Sequence, residues 1–286
     1  MIRFCLKSSR PGLWFPTLWL YLLPSSGHDL WTQPPFWVGL IFVTFPLNIM
    51  VYGWNDLVDQ DIDQYNPRKD TYLFGAKGKS DELQLLPRVI IYCQLMFWPM
   101  LLYFSSWWML ITLAGVVFFG WIYNAKHWGL RSKPPLELFC QVGYLLVVPI
   151  SCLLNGLPFP KLEVWLYLFL FCAQSQLIGE VMDIEPDREG GRKTIATELG
   201  RNRTKILIIL IVASEAVLIW VWFHDLIFAV GLLFFVIWLL LDRFVLYQDR
   251  QYTMREFRIF GVGANIVAVL SMIYVWTSQI FVSSVM

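Results

Sequence analysis

Residues 36–69, FWVGLIFVTFPLNIMVYGWNDLVDQDIDQYNPRK, and residues 162–193, LEVWLYLFLFCAQSQLIGEVMDIEPDREGGRK, decide how this chain is read. Each is a long apolar run that ends in Asp-x-x-x-Asp-x-x-x-x-Arg-Lys. The first copy is Asp59, Asp63, Arg68 and Lys69; the second is Asp183, Asp187, Arg192 and Lys193. An apolar run of about 20 residues spans a bilayer as a helix, and carboxylates four residues apart lie on one face of it. Acids at membrane depth are costly, so the chain needs a functional reason to keep them. Paired carboxylates followed by paired cations suit a ligand that brings both a divalent metal and anionic oxygens. A diphosphate held through Mg²⁺ is such a ligand, because Mg²⁺ favours carboxylate together with substrate phosphate.

Working outward, apolar residues make up 57% of the 286, aromatics 17% and charged residues 15%. Soluble domains carry roughly 25% charged residues, so the shortfall predicts an all-α, polytopic membrane helix bundle. About nine spans are expected, at 12–27, 36–58, 87–106, 107–124, 136–156, 162–182, 204–223, 225–242 and 260–282. They form one membrane domain over residues 1–286, with helices 1–4 and 5–8 as parallel pseudo-repeats and the ninth unpaired. Residues 1–27 have some features of a signal peptide, but a retained first helix is the preferred reading. Under this topology every Lys and Arg except Lys161 lies on one side, together with both Asp motifs. The positive-inside rule makes that side cytosolic, in the cell membrane if the source is bacterial. The net charge of +1 gives no case for nucleic acid. The cysteines, Cys5, Cys93, Cys140, Cys152 and Cys172, show no metal-type spacing.

On a helix, Asp56, Asp59 and Asp63 form one stripe, which Tyr52 and Asn48 extend toward the membrane interior; Asn55 neighbours it and Asp61 faces away. The second stripe runs Gln176, Glu180, Asp183 and Asp187. Pro186 is expected to break the helix beside Asp187. Two acidic stripes on one face repel each other unless cations lie between them, which argues for bound metal. Arg68 and Lys193 are the leading candidates to hold diphosphate oxygens, with Lys69, Arg192 and Lys126 behind them. Tyr52 and Tyr123 could present ring faces to an allylic cation. Glu137, Gln141 and Tyr144 form a polar stripe that could face an acceptor. Glu215, inside the seventh span, has no assigned role. The bland reading of both stripes is a solvated helix end; Asp56, well inside an apolar span, fits that poorly.

With these residues in hand, the chain resembles the UbiA-like superfamily of intramembrane prenyltransferases. Asn55, Asp56, Asp59 and Asp63 are similar to its Asn-Asp-x-x-Asp-x-x-x-Asp motif, and Asp183, Asp187, Gly190, Lys193 and Thr194 to its second motif. Glu198-Leu199-Gly200 and Arg10-Pro11 also look like the family's pattern. The resemblance implies a nine-helix bundle and Mg²⁺ ions bridging Asp56, Asp59, Asp63, Asp183 and Asp187 to a polyprenyl diphosphate donor. It further implies transfer of the prenyl group to a lipophilic acceptor, aromatic in many members. Many members carry Tyr-x-x-x-Lys after the fourth helix. Here Tyr123 is followed by Lys126 and His127, with Arg131 and Lys133 beyond, so the cation that takes this place is open.

The rival reading is a cation-coupled transporter using the Asp stripes as ion sites. Transport favours acids near the midplane on broken helices, whereas these cluster at one face with cations attached. On the enzyme reading, Asp59→Ala or Asp183→Ala abolishes transfer while leaving a folded membrane protein, measured by turnover beside size-exclusion and thermal melting.

Overall fold

A helix that is apolar all round must be buried in protein or in lipid. The computed structural model describes residues 1–125 and 128–282, and these form helices with no sheet. Eight helical spans among the described residues are long and apolar enough to cross a membrane. The first combines α3 (Pro34–Phe42) and α4 (Phe45–Val58), after which the short α5 (Gln60–Asp63) follows. Next come α6 (Ser80–Tyr103) and α7 (Trp107–Asn124). Three segments, α8 (Leu136–Phe139), α9 (Val142–Leu145) and α10 (Val147–Asn155), make up one interrupted span. Then follow α11 (Leu162–Glu189), the short α12 (Ile195–Leu199), α13 (Arg201–Leu218), α14 (Leu226–Leu241) and α15 (Met254–Ser278).

The first expected span is shorter than the others. After α1 (Ile2–Ser8), the chain forms α2 (Phe15–Leu22) between two 3₁₀ turns, Pro11–Leu13 and Leu23–Ser25. Pro11, Pro16 and Pro24 each remove a backbone donor, which prevents one long helix. Its side chains Leu20 and Tyr21 are fully buried against the core. The helices themselves also run past the apolar runs, as at Ser80 and Glu189. Hydropathy marks the part in lipid, whereas helix ends follow capping; Glu82 closes the start of α6 by accepting from the Lys79 amide at 3.1 Å.

The motif-bearing helices lie inside the bundle. The α3–α4 span is 56% buried, α11 and the α8–α10 span 50% each, but α15 only 11%. The outer helices turn Ile91, Leu95, Phe234, Val267 and Leu270 outward, as a lipid-facing surface requires.

The second expected helix breaks at Val43–Thr44, because Pro46 cannot donate and its ring clashes with the preceding turn. Within a bilayer the freed carbonyls need new partners. Asn48 supplies them: its amide donates to Val43 O at 2.9 Å, Thr44 O at 2.7 Å and Thr17 Oγ1 at 3.0 Å. Thr17 Oγ1 in turn donates to Val43 O at 2.7 Å. Asn48 therefore secures the break and α2 instead of extending the acidic stripe. Asn48→Leu removes these side-chain bonds and leaves Val43 O to Thr17 and Thr44 O to the backbone amide of residue 48, costing about 1–3 kcal/mol, and a lowered melting temperature in detergent checks it.

Candidate active site

The two acidic ridges meet at one end of the bundle, held by cations exchanged between them. Arg68, which follows the first motif, pairs with Asp183 of the second. Arg192, from the second, lies 3.5 Å from Asp59 of the first and 3.7 Å from Asp187. Asn66 adds a hydrogen bond to Asp183 Oδ1 at 2.8 Å. Arg131 pairs with Asp59, and Lys69 bridges Asp56 at 2.6 Å and Asp63 at 2.8 Å. Arg10, just before α2, reaches Asp56 at 3.0 Å and covers the Tyr52 ring at 4.6 Å. The expected repulsion is thus answered by the chain's own side chains. Among the described residues, no three His, Cys, Asp or Glu side chains are grouped to ligate one ion as they stand.

Local backbone explains these placements. α4 ends at Asp59, which has left the helical region (φ −92°, ψ 12°), and α5 restarts at once to carry Asp63. In the second copy the expected break at Pro186 does not occur. α11 runs on to Glu189, with Asp187 in its last turn: Pro186 lacks the amide that would bond Met182 O, but the helix continues past it and the Gly190 amide bonds to Pro186 O at 2.9 Å. Gly190 lies so near Ile62 of α5 that a Cβ would come within 2.6 Å, and Gly191 takes a left-handed turn (φ +70°). That turn sends Arg192 back over the site, its amide bonded to Asp187 O at 2.7 Å.

Burial shifts the charges. The Asp63 carboxyl is pushed up to about 6 by burial, against the pull of Lys69 and with help from Asp56 and Asp59. The Arg192 guanidinium is held well above its ordinary value: burial opposes its charge, but Tyr123, Asp59, Asp187 and Asp183 favour it. Arg10 is raised likewise: burial opposes its charge, but Asp56, Tyr52 and Asp63 together outweigh it.

Above this charged mouth lies a cavity of about 220 Å³ between α4, α7, the α8–α10 span and α11. Tyr52, Asn55, Tyr123, Gln141, Tyr144, Glu180, Asp183, Asp187 and Arg192 line it, as do Val51, Val116, Phe119 and Val147. Tyr123 Oη accepts from Arg192 at 2.8 Å. Glu180 accepts from Gln176 at 3.0 Å and from the Ala196 amide at 3.3 Å. Asp56 Oδ2 and Asn55 Oδ1 are buried without hydrogen-bond partners.

Most expected residues meet here, Arg68 among them. Lys193 is exposed, whereas its neighbour Arg192 reaches Asp59 and Asp187. Consecutive residues after a turn face opposite ways, so the string alone leaves that choice open. Lys126 and His127 lie outside the described residues. Arg131 is the described cation of that loop that reaches the motif. Glu137 does not face the cavity; it is fully buried and accepts from the Ile195 amide at 2.9 Å, tying down α12. Glu215 is fully buried too, accepting from Gln174 at 3.2 Å between α13 and α11. Arg10 and Asn66 were missed as site residues. The Arg-Pro before the first span was the only sequence signal for Arg10.

Comparison with solved structures gives the fold. The chain superposes on a UbiA homolog from Archaeoglobus fulgidus bound to DMAPP and Mg²⁺, with a TM-score of 0.69 at 16% identity, covering 97% of this chain and 99% of that one. The same homolog bound to GPP and Mg²⁺ gives 0.68 at 15% identity with the same coverage. This is the helical bundle of that UbiA homolog. Residues 13–281 match the UbiA prenyltransferase family, and the chain belongs to that family. It is 30% identical over 229 residues to a lycopene elongase/hydratase from Corynebacterium glutamicum, covering 76% of this chain and 77% of that protein. A lycopene elongase/hydratase from Haloarcula japonica is 26% identical over 214 residues, 71% of this chain and 69% of that one. The protein is a multi-pass membrane enzyme that transfers prenyl groups.

Removing one positioned donor of this kind lowers kcat about 10²-fold. Arg192→Gln is expected to lose that much, whereas Lys193→Gln, on the surface, changes turnover by no more than about twofold. Side-by-side rates of the two purified variants decide between the neighbours.

Proposed function

We propose that the enzyme takes a prenyl diphosphate, held through Mg²⁺ at the cytosolic mouth, and transfers its prenyl group to a lipophilic polyene of the carotenoid class. The observation that carries this is the cross-paired cluster of acids and cations at the mouth of a cavity with apolar walls. The donor set fits the metal. Asp56, Asp59, Asp63, Asp183 and Asp187 offer hard oxygens, and the unpartnered Asp56 Oδ2 and Asn55 Oδ1 are buried acceptors awaiting a cation. Magnesium bound there would draw negative charge from the diphosphate.

The chain's own residues supply the rest. Arg68, Arg131, Arg192 and Lys69 are close enough to turn from carboxylates to the departing diphosphate and share its charge. The donor's C–O bond breaks with its electron pair leaving on diphosphate. Val51, Val116, Phe119 and Val147 keep water from the allylic cation. A carbon–carbon double bond of the acceptor then attacks that cation, forming the new C–C bond. The resulting cation loses a proton, and Glu180, the deepest carboxylate of the second stripe, is placed to take it. The polyene acceptor draws support from the names of the relatives from Corynebacterium glutamicum and Haloarcula japonica. The DMAPP- and GPP-bound homolog supports the donor. The charge asymmetry of the loops supports a cytosolic mouth.

Purified protein in lipid nanodiscs with Mg²⁺, dimethylallyl or geranyl diphosphate and lycopene is expected to yield a prenylated polyene by mass spectrometry. Chelation with EDTA is expected to stop product and diphosphate release together, and Mg²⁺ to restore both. Release that persists in EDTA contradicts the metal assignment; diphosphate release without a polyene product contradicts the acceptor.

A further inference from the structure

Gly179 sits in the interior of α11 with ordinary helical backbone, since it is absent from the positive-φ glycines. Several interior glycines here have a packing reason. A Cβ at Gly39 would meet Tyr21 Oη at 2.2 Å, at Gly143 the Phe119 side chain at 2.8 Å, and at Gly261 the Leu73 side chain at 2.1 Å. At Gly179 a Cβ would meet nothing within 4 Å. Neither backbone strain nor helix contact therefore calls for glycine, which holds a helix less well than almost any other residue. The open space beside it is the cavity itself, which Gly179 lines together with Gln176, Glu180 and Asp183. Gly231 and Gly263 are also open but line no part of it.

Position decides what the space is for. Gly179 stands one helical turn from Asp183 toward the membrane interior, about 6 Å at the rise of a helix. On the proposed function, the diphosphate lies at the Asp183 level, so the donor's reacting carbon lies at the depth of Gly179. Glu180 and Gln176 flank that point, on the side where a proton must be given up. The acceptor yields the proton, so its reacting end belongs beside them. We propose that the bare backbone at Gly179 is the seat of the acceptor's reacting end, and that residue 179 sets how bulky an acceptor the enzyme takes. This rests on the transferase reading above.

The test compares wild type with Gly179→Ala and Gly179→Leu in nanodiscs, with dimethylallyl diphosphate and Mg²⁺ as donor probe and lycopene as acceptor probe. Three readouts are expected to separate. The melting temperature of Gly179→Ala stays level or rises, because alanine holds the helix better. Donor affinity stays within about twofold in Gly179→Ala, because the diphosphate contacts at the Asp183 level are unaltered. Transfer to lycopene falls about tenfold for the added methyl and further for leucine, with KM for lycopene rising. A lowered melting temperature in Gly179→Ala would mean that the glycine serves packing, and overturns the proposal. So does donor binding lost in step with transfer, or wild-type transfer by a folded Gly179→Leu. Should wild type leave lycopene untouched, the acceptor reading fails instead, and the melting and donor-binding arms still decide the role of Gly179.

Discussion

The exchange of cations between two acidic ridges is the interaction on which the rest of this structure depends. Asp56, Asp59, Asp63, Asp183 and Asp187 crowd one end of the bundle, where unpaired charge would be strongly unfavourable. Each motif answers the other's carboxylates: Arg68 crosses to Asp183 and Arg192 crosses to Asp59. Lys69 and Arg10 settle Asp56 within the first half. A cluster of this kind stabilises the fold only weakly in net terms, since desolvation offsets most of the attraction. On the proposed function, its value lies in holding many charges close, ready to be shared with an anion and its metal.

Irregular backbone does the positioning. The break at Val43–Thr44, secured by Asn48 and Thr17, separates α3 from the motif-bearing α4. The restart at Asp59 spreads the first three carboxylates over two helices. The Gly190–Gly191 turn brings the second motif's loop against Ile62, and Glu137 and Glu180 hold the following α12 by its amides. The break between α8 and α9, at Cys140 and Gln141, lines the cavity itself.

Much of this was legible in the string. The helical class and the placing of both acidic motifs on one face came from hydropathy and spacing, as did the exposed side of Asp61. Errors cluster where side-chain direction after a turn matters. Lys193 was preferred to Arg192 because both follow the motif and charge alone does not rank them. Asn48 shares α4 with Tyr52 and Asp56 as the spacing implied, but its side chain is taken up by the carbonyls at the Val43–Thr44 break, which spacing alone does not reveal. Pro186 was expected to break α11, but the helix continues past it.

By itself the sequence determined that the chain is a series of apolar segments, where the charges fall along them and that two matching acidic strings close two of them, because hydropathy and spacing are local properties. Only the tertiary structure decided which cation meets which carboxylate, that Glu137 and Glu215 are interior struts, and that Gly179 opens on a cavity. Those outcomes depend on distances between segments far apart in the chain, and a guanidinium or a missing side chain acquires its meaning from what stands across from it.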